Sequence, residues 1–133
     1  MEESIQGAHL VAKLIGRWNP CDLAYVENFE YDALKARLTI RTLFQSRDGR
    51  SSWPDPDGPL HRVVLCFDGV SGLRLRDLGS GLVQIVGFEI VSLADRGWES
   101  LRFEVEDYED GRIGFQCSDI TVTEVVGEAV YLE

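Results

Sequence analysis

No apolar run in this chain approaches the ~20 residues that span a bilayer, and its first residues, Met1-Glu2-Glu3-Ser4, are acidic where a signal peptide would be basic. Both absences predict a cytoplasmic protein. Cysteine is scarce: Cys21, Cys66 and Cys117 are odd in number and far apart, which argues against a disulfide framework and against a zinc knuckle. Basic residues are scarce too. Thirteen Lys and Arg against 23 Asp and Glu leave a net charge of −10 and a pI near 4.6, a balance that sets aside nucleic acid and anionic membranes as partners.

Chemical motifs are also missing. His9 and His61 have no spaced partner for a metal pair. Asp55-Pro56-Asp57-Gly58 starts like a calcium loop, but the twelfth position, where an EF-hand carries Glu, is Cys66. The stretches Gly69 to Gly72 and Gly79 to Gly81 lack both GxGxxG and the GK[ST] ending of a phosphate loop, and so mark turns. There is no local nucleophile signature. These absences predict a chain that is not an enzyme and that uses no metal and no cofactor.

What is present is a change of period. Ile5, Ala8, Val11, Ala12 and Ile15 recur at helical spacing, with Leu10 and Leu14 widening the apolar face, Ser4 placed as a cap and Gly16 as a stop. The spacing predicts a helix over 5–16. Afterwards the period is two. Runs at 24–31 and 36–44 form a hairpin about Asp32-Ala33; Val63, Leu65 and Phe67 give a third strand and Leu73 with Leu75 a fourth. The apolar stretch from Leu82 to Leu93 reads as one central strand. Leu101, Phe103 and Val105 lead through the Asp110-Gly111 turn into Ile113, Phe115 and Cys117, and a bulge or turn near Ser118-Asp119 precedes a last strand, Ile120 to Val126. The expected fold is α+β, one domain over 1–133, with the N-terminal helix on a mainly antiparallel sheet or flattened β-sandwich of seven to eight strands. Residues 45–60, which hold three of the four prolines, form a long loop.

The acidic surplus is concentrated at one end: Arg96 to Glu133 carries ten acidic and three basic side chains, −7 of the net −10, and nothing basic follows Arg112. Its densest part is Glu104, Glu106, Asp107, Glu109 and Asp110 on the predicted second hairpin. Such a cluster is either a solvated face serving solubility or a surface that steers a basic partner. The loop adds Arg50 and Trp53, residue types enriched at interface hot spots. Trp53 is either exposed as an anchor or folded back on the domain, whereas Trp18 and Trp98 adjoin element ends and read as core plugs.

Four stretches carry a resemblance: Gly16-Arg17-Trp18-Asn19-Pro20 closing the helix, the hairpin from Val26 to Leu38, Val63 to Leu75, and Ile85 to Ile90. Together they resemble the immunity protein 50 family of bacterial polymorphic toxin systems. The resemblance implies a protein that binds and neutralises a cognate toxin in the producing cell. An acidic, non-catalytic domain suits inhibition of a basic toxin domain, often a nuclease. The alternative reading is a small protein-binding or scaffold domain of another ligand. Oligomeric state is left open.

Overall fold

The computed structural model describes residues 5–79, 81–93 and 102–132; the expected cap Ser4, the expected plug Trp98 and the expected strand residue Leu101 lie outside the described residues. Helix α1 spans Ala8–Ile15, shorter than its apolar spacing predicts. The reason lies at its start. Gln6 forms an isolated parallel bridge beside Thr121, donating its N–H to Ile120 O at 3.2 Å and accepting the Val122 N–H at 2.7 Å. Gly7 then turns the chain away with φ 86°, in a position where a Cβ would lie 2.5 Å from Val122 O. The stop is as predicted, with Gly16 at φ 94° returning its N–H to Ala12 O at 2.8 Å. Ala8 and Val11 are buried, but Leu10, expected on the apolar face, stays 43% exposed.

A short 3₁₀ turn, Pro20–Asp22, leads into nine strands among the described residues: β1 Leu23–Asp32, β2 Arg37–Phe44, β3 His61–Asp68, β4 Ser71–Leu75, β5 Val83–Gln84, β6 Phe88–Ser92, β7 Phe103–Asp107, β8 Ile113–Cys117 and β9 Asp119–Val125. They form two antiparallel sheets, ordered β5-β1-β2-β3-β9 and β4-β8-β7-β6. The α+β class stands, with strands slightly more numerous than the expected seven to eight. The β1–β2 hairpin turns where Asp32 Oδ1 accepts the N–H groups of Leu34 and Lys35 at 3.1 and 3.2 Å.

One strand expectation is overturned. The run from Leu82 to Leu93 is not a single central strand but two edge strands, β5 in the five-stranded sheet and β6 in the four-stranded one. Its apolar content serves the crossing between sheets. Ile85 is fully buried in the passage and donates its N–H to Ala24 O at 2.9 Å. The second corner is Ser118, as the broken alternation indicates, where the chain passes from β8 to β9. Its N–H and its hydroxyl both donate to Asp68 O, at 2.9 and 3.0 Å.

The sheets share one core. Phe67 of β3 meets Phe115 of β8 edge to face, with centroids 4.9 Å apart, and Phe44, Phe88 and Phe103 are likewise fully buried. Each such side chain contributes roughly 1.5–3 kcal/mol through burial. Trp18 is half-buried and stacks on Phe44 at 6.0 Å, close to its expected part as a plug. Cys66 and Cys117 are buried in strands and Cys21 is half-buried, all three as free thiols.

Candidate functional site

The loop 45–60 is built around one amide. Gln45 is 1% exposed; its Nε2 donates to Asp55 O at 2.9 Å and Pro59 O at 3.2 Å, while Oε1 accepts the Asp55 N–H at 2.8 Å. A polar side chain buried with its groups satisfied acts as an internal peg. Trp53 folds back on the same residue, donating Nε1–H to Gln45 O at 2.8 Å. Over its ring lies Arg47, with Cζ 3.7 Å from the centroid. The guanidinium of Arg47 also donates through Nε to Cys21 O at 3.0 Å and through Nη2 to Val86 O. Arg50 is held within the loop, on Ser46 O at 2.9 Å and Asp55 at 3.4 Å. Trp53 is therefore a half-buried ring fixed between its own loop and Arg47, and Arg50 serves the loop's internal order.

The base of this loop rests on a carboxylate that the sequence did not single out. Asp22 is fully buried. Arg17 grips it in a two-pronged pair, Nε to Oδ2 at 3.0 Å and Nη2 to Oδ1 at 2.8 Å, and the Arg47 N–H adds a third contact at 3.3 Å. The free prong of Arg17 reaches Asp48 at 3.2 Å. Only folding brings these together, through the 3₁₀ turn that Asn19 caps by accepting the Cys21 N–H at 2.9 Å.

The acidic hairpin divides into two kinds of residue. Phe103, Val105 and Asp107 point inward, while Glu104 and Glu106 share the outer face of β7, as predicted. Opposite Glu106 stands Glu89 of β6, an acidic neighbour hidden from sequence reasoning by the single-strand reading of Leu82 to Leu93. Gln116 donates to Glu104 at 3.3 Å. Asp107 departs from the expected solvated cluster: it is 2% exposed, and its carboxylate accepts the N–H groups of Glu109, Asp110 and Arg112 at 3.3, 3.3 and 3.2 Å. It holds the turn. Glu109 and Asp110 are exposed, and Tyr108 between them is 51% exposed.

The two predicted regions meet. Tyr108 donates its N–H to Gly87 O at 2.9 Å. A Cβ on Gly87 would lie 2.8 Å from Glu109 Cγ and 3.1 Å from the Tyr108 ring, so glycine is what lets the hairpin tip settle on the sheet crossing. The residue before it, Val86, holds Arg47. Electrostatics record the same juxtaposition. The Tyr108 phenol is raised first by the charge of a Cys21 thiolate and then by desolvation, with Arg47 opposing and Glu109 and Glu89 adding. Trp53, Arg47, Cys21, Tyr108 and Glu109 thus form one stretch of surface that continues to Glu89 and Glu106.

Burial pushes the thiols of Cys21 and Cys66 up, and that of Cys117 up to about 12. A nucleophilic cysteine needs the opposite shift. Among the described residues no three His, Cys, Asp or Glu side chains are placed to hold a metal ion, and no helix is long and apolar enough to cross a membrane. The chain matches no protein-family model, no curated protein and no solved structure.

Proposed function

We propose that the chain is a non-enzymatic immunity protein that binds a basic toxin domain in the cytoplasm of the producing cell and blocks it through the acidic face described above. The observation that carries this reading is that the hairpin tip and the Arg47–Trp53 pair are held by neighbouring carbonyls of the sheet crossing, Tyr108 on Gly87 O and Arg47 on Val86 O. It joins carboxylates that steer a basic molecule to the Trp, Tyr and Arg side chains that dominate interface energetics. Glu89, Glu104, Glu106, Glu109 and Asp110 supply the field; Tyr108 and the exposed part of Trp53 supply contact area. Asp107 and Arg50 act from behind by fixing the turn and the loop.

The test requires a candidate toxin domain, sought in the gene adjacent to this one. Changing Glu89, Glu104, Glu106 and Glu109 to Gln and Asp110 to Asn should slow association and flatten its dependence on ionic strength, because rim charges act mainly on encounter. Trp53→Ala should weaken binding by about 1 kcal/mol or more. Unaltered rates, salt slopes and protection of toxin-expressing cells would refute the reading.

A further inference from the structure

The tip of the β1–β2 hairpin presents Leu34 at 95% exposure. Single exposed leucines are ordinary on protein surfaces, but the turn under this one is held firmly. Asp32 Oδ1 accepts the N–H groups of Leu34 and Lys35, Ala36 O accepts the Val70 N–H at 2.9 Å, and Arg37 donates to Asp68 at 2.6 Å. Ala36 keeps φ 50°, a left-handed conformation that glycine adopts at less cost. Leu34 is thus a rigid apolar knob. A group fixed in advance loses little freedom when a partner covers it.

An apolar groove lies toward the other end of the same sheet. It encloses about 540 Å³ between α1 and β9, with Leu10 and Leu14 of the helix and Val125 of the strand in its wall. Val125 stands beside Val63, whereas Asp119, where β9 begins, stands beside Asp68, the residue that holds Arg37 at the hairpin tip. The seven residues of β9 therefore separate the level of the knob from that of the groove, roughly 20 Å along the strand. The two meet only between copies of the chain. Charges flank both. The knob sits between Asp32 and Lys35, the groove wall includes Lys13 and Glu124, and none of these four forms an ion pair among the described residues.

We propose that the groove takes Leu34 of a second copy of the chain, with Lys35 beside Glu124 and Asp32 beside Lys13. Two bodies of net charge −10 repel, so the contact is weak and strengthens as salt screens that repulsion. Binding of a basic molecule to the acidic face has the opposite salt dependence. Neither knob nor groove belongs to that face, and the inference stands without a toxin.

Sedimentation equilibrium of the chain alone, from about 10 µM to about 1 mM, should show association that grows with concentration and with added sodium chloride. Leu34→Asp and Leu10→Asp, both at exposed positions, should each raise the dissociation constant about tenfold or more. The Leu10→Asp chain keeps its knob and the Leu34→Asp chain keeps its groove. Amide signals of residues 33–36 in isotope-labelled Leu10→Asp should therefore shift when unlabelled Leu34→Asp is added, although neither variant associates alone. Lys35→Glu should weaken the association, and adding Glu124→Lys to it should restore the parent value. The proposal is overturned by a chain that stays monomeric at about 1 mM, which would leave the groove to another partner. It is equally overturned by association that survives Leu34→Asp, by a mixture that shows no shift, or by a charge exchange that restores nothing. Should Leu10→Asp prove unfolded by circular dichroism, Leu34→Asp and the charge exchange decide alone.

Discussion

Gln45 and Asp55 hold each other by two hydrogen bonds: the Asp55 N–H donates to Gln45 Oε1 at 2.8 Å, and Gln45 Nε2 donates to Asp55 O at 2.9 Å. With the Trp53 indole on Gln45 O, this pairing gives a loop that lacks any periodic pattern a defined shape. Gln45→Leu keeps the size and removes the polar groups, leaving the Asp55 and Pro59 main chain short of partners. The variant should lose about 2–3 kcal/mol in urea unfolding. Its Trp53 fluorescence should shift to the red as the ring leaves Arg47. An unchanged spectrum would mean that the loop is held by Arg50 and Asp55 instead.

The glycines flanking α1 separate two causes of conformational cost. Both adopt positive φ, but a Cβ on Gly7 would meet Val122 O at 2.5 Å, whereas Gly16 has open space around it. Gly16→Ala should therefore cost only about 1 kcal/mol, the left-handed backbone penalty, and Gly7→Ala about 2 kcal/mol or more because a backbone clash is added. Equal losses in thermal unfolding would show that the N-terminal segment shifts freely off β9.

The legible part of this fold is that governed by period and turn chemistry. Gly16 ends the helix, Asp32 and Gly111 close hairpins, and Phe103, Val105, Ile113 and Phe115 point inward as their alternation indicates. The illegible part depends on where elements go. Val83 to Ile90 is apolar whether it lies mid-sheet or crosses between sheets, so its sequence does not separate the two. Asp22 and Arg17 stand five apart in an irregular turn, and Arg47 and Trp53 in a loop without a repeat; tertiary contacts alone join them. Asp107 is different, because its signal was present. It is in phase with Phe103 and Val105, and the charge of its neighbours masked that parity.

His61 opens β3 with Nδ1 buried and unpartnered, and burial lowers its pKa from the ordinary 6.5 despite a backbone contact at Val126. The unfolded chain therefore takes up this proton first. Its contribution to stability is complete above pH 6.5, declines as the pH falls below that value, and stops changing once the folded pKa is passed. In urea titrations from pH 8 to about pH 5, His61→Gln should lose stability less steeply than the parent. Parallel slopes would assign the acid sensitivity to other groups.

The acids of the β7–β8 hairpin should separate by parity. Asp107 faces inward and its carboxylate carries three N–H groups of the turn; Glu106 lies on the outer face opposite Glu89. Asp107→Ala leaves those donors without their acceptor in a half-buried turn and should cost about 2 kcal/mol. Asp107→Asn keeps one acceptor oxygen and should fall between that variant and the parent. Glu106→Gln removes one of two facing like charges and should stay within about 0.5 kcal/mol of the parent, or gain slightly. Because Tyr108 and Glu109 follow directly, loss of the turn should also displace the hairpin tip from Gly87. Amide exchange at Tyr108, whose N–H is bonded to Gly87 O, should then speed up in Asp107→Ala but not in Glu106→Gln. Equal stability and equal exchange in the two variants would show that Asp107 is one more member of a solvated acidic face.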